Sequence, residues 1–157
     1  MTRITEHIET PLAPEAAFAF IADFANAADW DPGTVTSERI DAGPVRAGAR
    51  YRLGVRLGGR VAPMEYRISA FEAPRRVVLV GEGSGVWAVD EIRFAPAGTG
   101  TRIDYTADIR LGGVLRLVQP FLGRAFAKLG REALSGMQRT LDARARAGAG
   151  QPGTDRP

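Results

Sequence analysis

The chain has 157 residues, 45% of them hydrophobic and 25% charged, with a formal net charge of +3 and no cysteine. One domain of this length buries roughly 68–70% of the surface its unfolded chain exposes, so it can hold a core unaided, and disulfide and thiol chemistry are excluded. The opening MTRITEHIETP carries charges where a secretory leader needs an apolar run, and no stretch reaches the roughly 20 apolar residues of a membrane span; a cytoplasmic protein without stable membrane insertion is expected.

Arg3 to Thr10 alternates, with Ile4, Glu6, Ile8 and Thr10 on one face and Thr5, His7 and Glu9 on the other, which predicts a strand. Ala13-Pro14-Glu15 then opens a helix: proline suits the first helical position, and a carboxylate suits the positive end of the dipole. Phe18, Ile21 and Ala22 recur at helical spacing, and a second short helix is predicted over Phe24 to Asp29, closing at Trp30-Asp31-Pro32-Gly33. From there the period is two. Strands are predicted at Val35–Ile40, Ala49–Leu57, Val61–Phe71, Val77–Gly81, Val86–Phe94 and Arg102–Leu111, separated by glycine- and proline-bearing turns. Short connections make consecutive strands antiparallel neighbours. From Val114 to Arg146 the helical period returns. Val114, Val118, Phe121, Ala125, Leu129, Met137 and Leu141 form the predicted apolar stripe, with a kink or break at Pro120. Residues 148–157, rich in glycine and proline, are expected to be a disordered tail after a domain spanning 1–147.

One strand, two small helices, six strands and one long helix can bury every apolar face only if a curved antiparallel sheet wraps the helix, an α+β architecture. In that order the chain resembles the helix-grip fold of the START/Bet v 1-like (SRPBCC) superfamily, and within it the polyketide cyclase/dehydrase and lipid transport branch. Four stretches carry the resemblance: Ile8-Glu9 through Ala13-Pro14-Glu15 into Ala17-Phe18-Ala19-Phe20-Ile21-Ala22-Asp23; Trp30-Asp31-Pro32-Gly33; Phe71-Glu72-Ala73-Pro74-Arg75-Arg76-Val77-Val78-Leu79; and Gly100-Thr101-Arg102 before the proline-bearing terminal helix. The resemblance spans about Ile4 to Ala145 and implies a cavity between sheet and helix.

Inward-facing strand positions are the candidates to line that cavity: Ile4, Glu6 and Ile8; Tyr51, Leu53 and Val55; Met64, Tyr66 and Ile68; Ile103, Tyr105 and Ala107. The helix adds Phe121, Ala125 and Leu129, and the turn adds Trp30. A mostly apolar wall with few polar groups suits a hydrophobic small molecule, although the same positions also serve plain core packing. Glu6 lies between Ile4 and Ile8, and Asp90 shares a face with Ala88, Ile92 and Phe94; a carboxyl desolvated there would have a raised pKa and could move a proton, whereas a strand end facing water would not. Tyr105, with Tyr51 and Tyr66, is a candidate hydroxyl donor or an ordinary strand residue. Trp30 is either a wall or a plug.

One histidine, His7, and no cysteine leave no typical zinc site or histidine-dependent triad, so no metal or cofactor is expected. Gly81-Glu82-Gly83-Ser84-Gly85 lacks the Gly-Lys-Ser/Thr ending of a phosphate loop and reads as a hairpin. The arginines are interspersed with acids along the strands, which points to a solvated surface rather than a nucleic-acid face. Two functions remain open. One is a binding module for a lipid, quinone or polyketide-like aromatic. The other, implied by the resemblance, is a metal-independent cyclase or dehydrase using Glu6, Asp90 or a tyrosine. A third reading, an interaction module with a collapsed cavity, requires the absence of a pocket.

Overall fold

Alternation along each strand leaves one face apolar, and short turns bring successive faces into one surface. In the computed structural model, which describes residues 1–150, the seven strands form a single antiparallel sheet. They are β1 (Thr2–Thr10), β2 (Thr34–Arg39), β3 (Arg50–Leu57), β4 (Arg60–Glu72), β5 (Arg76–Gly83), β6 (Val86–Ala97) and β7 (Gly100–Leu111). Their order in the sheet is β1-β7-β6-β5-β4-β3-β2. β2 to β7 are a continuous meander, and β1 closes beside β7 with Ile4 opposite Ala107 and Glu6 opposite Tyr105. The β5–β6 hairpin turns on Ser84 and Gly85, with φ of 54° and 75°, the left-handed pair that matches the twist of the flanking strands.

Between β1 and β2 come α1 (Pro14–Ala22), a 3₁₀ turn at Phe24–Asn26 and α2 (Ala27–Trp30). Pro14 stands in the first turn of α1, and Glu15 sits in that same turn; Ala17, Phe18, Phe20, Ile21 and Ala22 are buried. The side chain of Asp23 caps the 3₁₀ turn by accepting from the Ala25 amide at 3.2 Å. At the next corner Asp31 accepts from the Gly33 amide and from the Thr34 hydroxyl, both at 2.8 Å, and so bends the chain into β2.

The long helix differs from its prediction at its start. Two 3₁₀ turns occupy Gly113–Leu117 and Gln119–Phe121, and α3 runs from Gly123 to Ala149. Pro120 has no amide to donate, so the α-helix begins only after it. A 3₁₀ turn takes 3.0 residues where an α-helix takes 3.6, and the apolar phase is therefore not carried across the proline. Val114, Val118 and Phe121 end exposed, and on α3 it is Phe126, Gly130, Ala133, Leu134, Met137 and Leu141 that are buried, while Ala125 faces out. The tail expected at 148–157 overlaps the last turn of α3; residues 151–157 lie outside the described residues.

α3 crosses the end of α2 at Gly136, where a Cβ would collide with the Trp30 carbonyl oxygen, and crosses β1 at Gly130, where it would meet Ile4 Cγ2 at 2.5 Å. Those two glycines let the helix lie close against its neighbours.

Candidate functional site: a hollow around Asp90 and Tyr105

The middle of the sheet's inner face carries small residues. Across one row, Gly81 of β5 pairs with Ala88 of β6, which pairs with Ile109 of β7; across the next, Leu79 pairs with Asp90, Asp90 with Ala107, and Ala107 with Ile4. α3 answers with Gly130 and Ala133. Small side chains on both walls leave a hollow of about 130 Å³. Its wall is largely apolar, with Ile4, Met64, Val86 and Phe126 among its members, and it includes Asp31, Tyr66, Asp90 and Tyr105. The exposed or half-exposed members Val55, Arg56, Leu57 and Leu129 place its mouth between the end of β3 and α3.

Asp90 is the most buried charged group of the core, at 4% exposed. The Tyr105 hydroxyl donates to its Oδ1 at 2.9 Å, one strand away. Burial pushes the Asp90 carboxyl up to about 7; the Tyr105 hydrogen bond opposes that shift, and the neighbouring Asp31 and Asp108 reinforce it. Burial also raises Asp31, partly offset by its hydrogen bonds from Gly33 and Thr34. Both tyrosine hydroxyls, Tyr66 and Tyr105, are raised by burial first and then by the Asp90 charge, so each stays a protonated donor at neutral pH. Tyr66 is aimed by its neighbour: its ring occupies the space above Gly81, where any Cβ would collide with it. Near neutrality Asp90 exists in both forms. Protonated, it donates; ionised, it only accepts.

Of the residues singled out in the sequence, Ile4, Val55, Met64, Tyr66, Asp90, Tyr105, Ala107 and Leu129 meet at this hollow. Glu6 is half-buried beside Gly130 of α3 and is not part of the wall. Ile8, Leu53 and Ile103 are core residues away from the hollow, Ile103 fully so. Trp30 and Tyr51 are also buried outside it, packed edge-on and tilted against Phe24 at centroid distances of 6.1 and 6.3 Å, with the Trp30 Nε1 and the Tyr51 hydroxyl lacking hydrogen-bond partners. Phe121 is 84% exposed, because the 3₁₀ turn carrying it points it outward. Sequence reasoning missed Asp31, Phe126 and the small residues Gly130 and Ala133. The available signal was size: Gly81, Ala88, Ala107, Gly130 and Ala133 are too small to fill an interface of large side chains. Among the described residues there is no cluster of three or more His, Asp or Glu suited to a metal ion.

A curved seven-stranded sheet gripping a long terminal helix, with a hollow between them, defines the START-like helix-grip class. More narrowly, the family model for polyketide cyclase / dehydrase and lipid transport proteins matches residues 1–142, and the chain belongs to that family. Solved structures with the same fold include Zhui aromatase/cyclase from Streptomyces sp. R1128, at TM-score 0.75 and 15% identity over 95% of this chain and 98% of that one. TTHA0849 from Thermus thermophilus superposes at TM-score 0.74 with 18% identity, over 94% of this chain and 99% of that one. A START superfamily protein from Mycobacterium smegmatis does so at 0.72 with 14% identity, over 94% and 99%. No curated protein matches the chain by sequence. Family and fold together support a hydrophobic ligand-binding or cyclase role. Among the described residues no helix is long and apolar enough to cross a membrane.

Proposed function

We propose that this protein binds a hydrophobic small molecule, a lipid, quinone or polyketide-like aromatic, through the hollow between sheet and α3, with the Asp90–Tyr105 pair holding a hydroxyl or carbonyl of the ligand. The observation that carries the reading is a buried carboxyl facing an apolar hollow rather than an arginine. Burying it costs stability unless a ligand group completes its hydrogen bonding. About 130 Å³ suits one aromatic ring or a short alkyl run, since an apolar cavity of roughly 150 Å³ takes up benzene. A longer ligand threads through the mouth past Leu57 and Leu129, where further apolar surface is buried at roughly 25 cal/mol per Å².

A second reading, cyclase- or dehydrase-type catalysis, is favoured by one feature: Asp90 is poised to gain or lose a proton near pH 7. Its free Oδ2 would take a proton from a carbon beside a carbonyl, the Tyr66 hydroxyl would support the developing oxyanion, and the hollow would hold the chain in a folded conformation. Glu6, which stands apart from the hollow, has no part in this scheme.

Native mass spectrometry of the purified protein, followed by solvent extraction and a thermal-shift panel of single-ring and alkyl-bearing phenols, quinones and fatty alcohols, tests the binding reading. The expected result is a co-purifying apolar molecule or a raised Tm that disappears in Ala107→Leu, whose side chain fills the hollow. Absence of any bound molecule together with no shift across the panel refutes it. Turnover of a poly-β-ketone analogue that is lost in Asp90→Asn, while binding persists, selects the catalytic reading.

A further inference from the structure

The segment joining β7 to α3 has its polarity turned inside out. Gln119 is the buried residue of the two 3₁₀ turns. Its amide nitrogen donates to the Ile109 carbonyl at 2.8 Å and to the Thr2 hydroxyl at 3.1 Å, and its Oε1 accepts from the Leu111 amide at 3.1 Å. These bonds pin the segment to β7 and β1 by its polar side chain and turn its apolar side chains outward. Val114, Leu117 and Phe121 are 81%, 75% and 84% exposed, and Leu115, Val118 and Leu129 are exposed beside them. Five of the nine large hydrophobic residues exposed among the described residues therefore fall within this segment, and a sixth, Leu129, lies on α3. Scattered exposed leucines are ordinary; a contiguous set is an interaction surface.

Its charge is equally one-sided. Between Ile109 and Arg131 the chain carries Arg110, Arg116, Arg124, Lys128 and Arg131 and no acidic residue, and all five cations are exposed. On the strands, by contrast, most arginines are answered by carboxylates, among them Arg3 by Asp108, Arg50 by Glu65, Arg76 by Glu91 and Arg102 by Asp104. Among the described residues the ion pair that reaches the apolar stretch is Lys128 with Glu132, at 3.7 Å. Arg110 instead stacks on the Trp87 ring, with its guanidinium carbon 4.8 Å from the ring centroid.

We propose that this face docks the protein peripherally on an anionic lipid bilayer. Val114, Leu117 and Phe121 enter the boundary between headgroups and acyl chains, and Arg116, Arg124 and Lys128 rest on the headgroup phosphates. A bilayer satisfies both halves of the surface at once. A second copy of the chain would set the same cations against each other. The inference stands independently of the cavity reading, since docking needs no ligand, although Leu129 borders both the mouth of the hollow and the docking face.

The test is co-sedimentation of the full chain with phosphatidylglycerol–phosphatidylcholine vesicles and with pure phosphatidylcholine vesicles, at low and high salt. Binding to the anionic vesicles that weakens with salt is expected. Each neutralised cation should weaken it by about fivefold, so Arg116→Gln with Arg124→Gln loses about 25-fold, and Leu117→Ser with Phe121→Ser loses at least about tenfold. These side chains are exposed, so the variants keep the wild-type Tm. In Phe121→Trp the emission should shift to the blue on vesicles and be quenched by brominated lipid. No binding to anionic vesicles at low salt overturns the proposal. So does binding indifferent to Leu117→Ser with Phe121→Ser, or a solution dimer that this same pair of substitutions dissolves.

Discussion

The interface between sheet and helices is packed differently at its two ends. Under α1 and the second half of α3 it is full: Phe18 meets Phe71 and Phe94 edge-on at 5.2 Å each, and Ile68, Ile92, Met137 and Leu141 have no exposed surface. Around Asp90 the same sheet and the same helix face each other across alanines and glycines and leave a hollow. Polarity barely distinguishes the two ends, since both are mainly apolar; side-chain volume does. The full end sets the frame, and the hollow end carries Asp90, a buried carboxyl that the frame leaves without an ion-pair partner.

The sharpest way to break this contrast is truncation. Phe18→Ala at the full end should cost about 3–5 kcal/mol in urea unfolding, because its aromatic neighbours cannot collapse into the gap. If it costs no more than truncations around the hollow, the two ends are not packed differently. Next in size is Asp90→Asn. With a native pKa of about 7 against an ordinary carboxylate value near 4, the folded protein keeps a proton that the unfolded chain has released. Stability therefore falls as pH rises from about 4 to about 7 and levels off above. Asp31, shifted the same way, adds to that slope. Asp90→Asn should remove most of the slope and stabilise the protein at pH 8 by up to about 4 kcal/mol, read as a raised Tm; a lowered Tm at pH 8 would mean that the carboxylate is a stabilising group.

Enlargement probes the contrast from the other side. Ala17→Leu, at a fully buried position of the full end, should cost about 1–3 kcal/mol through overpacking. Ala107→Leu, on the wall of the hollow, should change stability by less than about 1 kcal/mol because its extra atoms have room. Equal costs in denaturant melts would show that the hollow closes in solution. The smallest effect belongs to Leu129→Ala, about 1 kcal/mol or less, since that side chain already borders water and the hollow. Its signature should be weakened ligand binding rather than a lowered Tm.

Much of the fold was legible because it is written in local periods. Ile103, Tyr105, Ala107, Ile109 and Leu111 alternate without a break, and that face of β7 is the inner one. The site was legible only in part. Asp90 and Tyr105 were marked by their place on apolar faces, but Glu6 bore the same mark and lies beside Gly130 of α3, off the wall of the hollow. A strand pattern says which face a carboxyl is on and nothing about what covers it. Phe121 departs from the pattern for a different reason: helical spacing does not carry through Pro120, because the 3₁₀ turns there rotate the phase.

The sequence alone determined the element order, the antiparallel meander, the break at Pro120 and the family, since each follows from neighbours within a few residues of one another. Tertiary structure decided where the hollow lies, that the Tyr105 hydroxyl meets Asp90 across 15 residues, and that Gln119 reaches Thr2 across 117. Those contacts depend on strand register and on how closely α3 can approach at Gly130 and Gly136, and neither is encoded in any local run of residues.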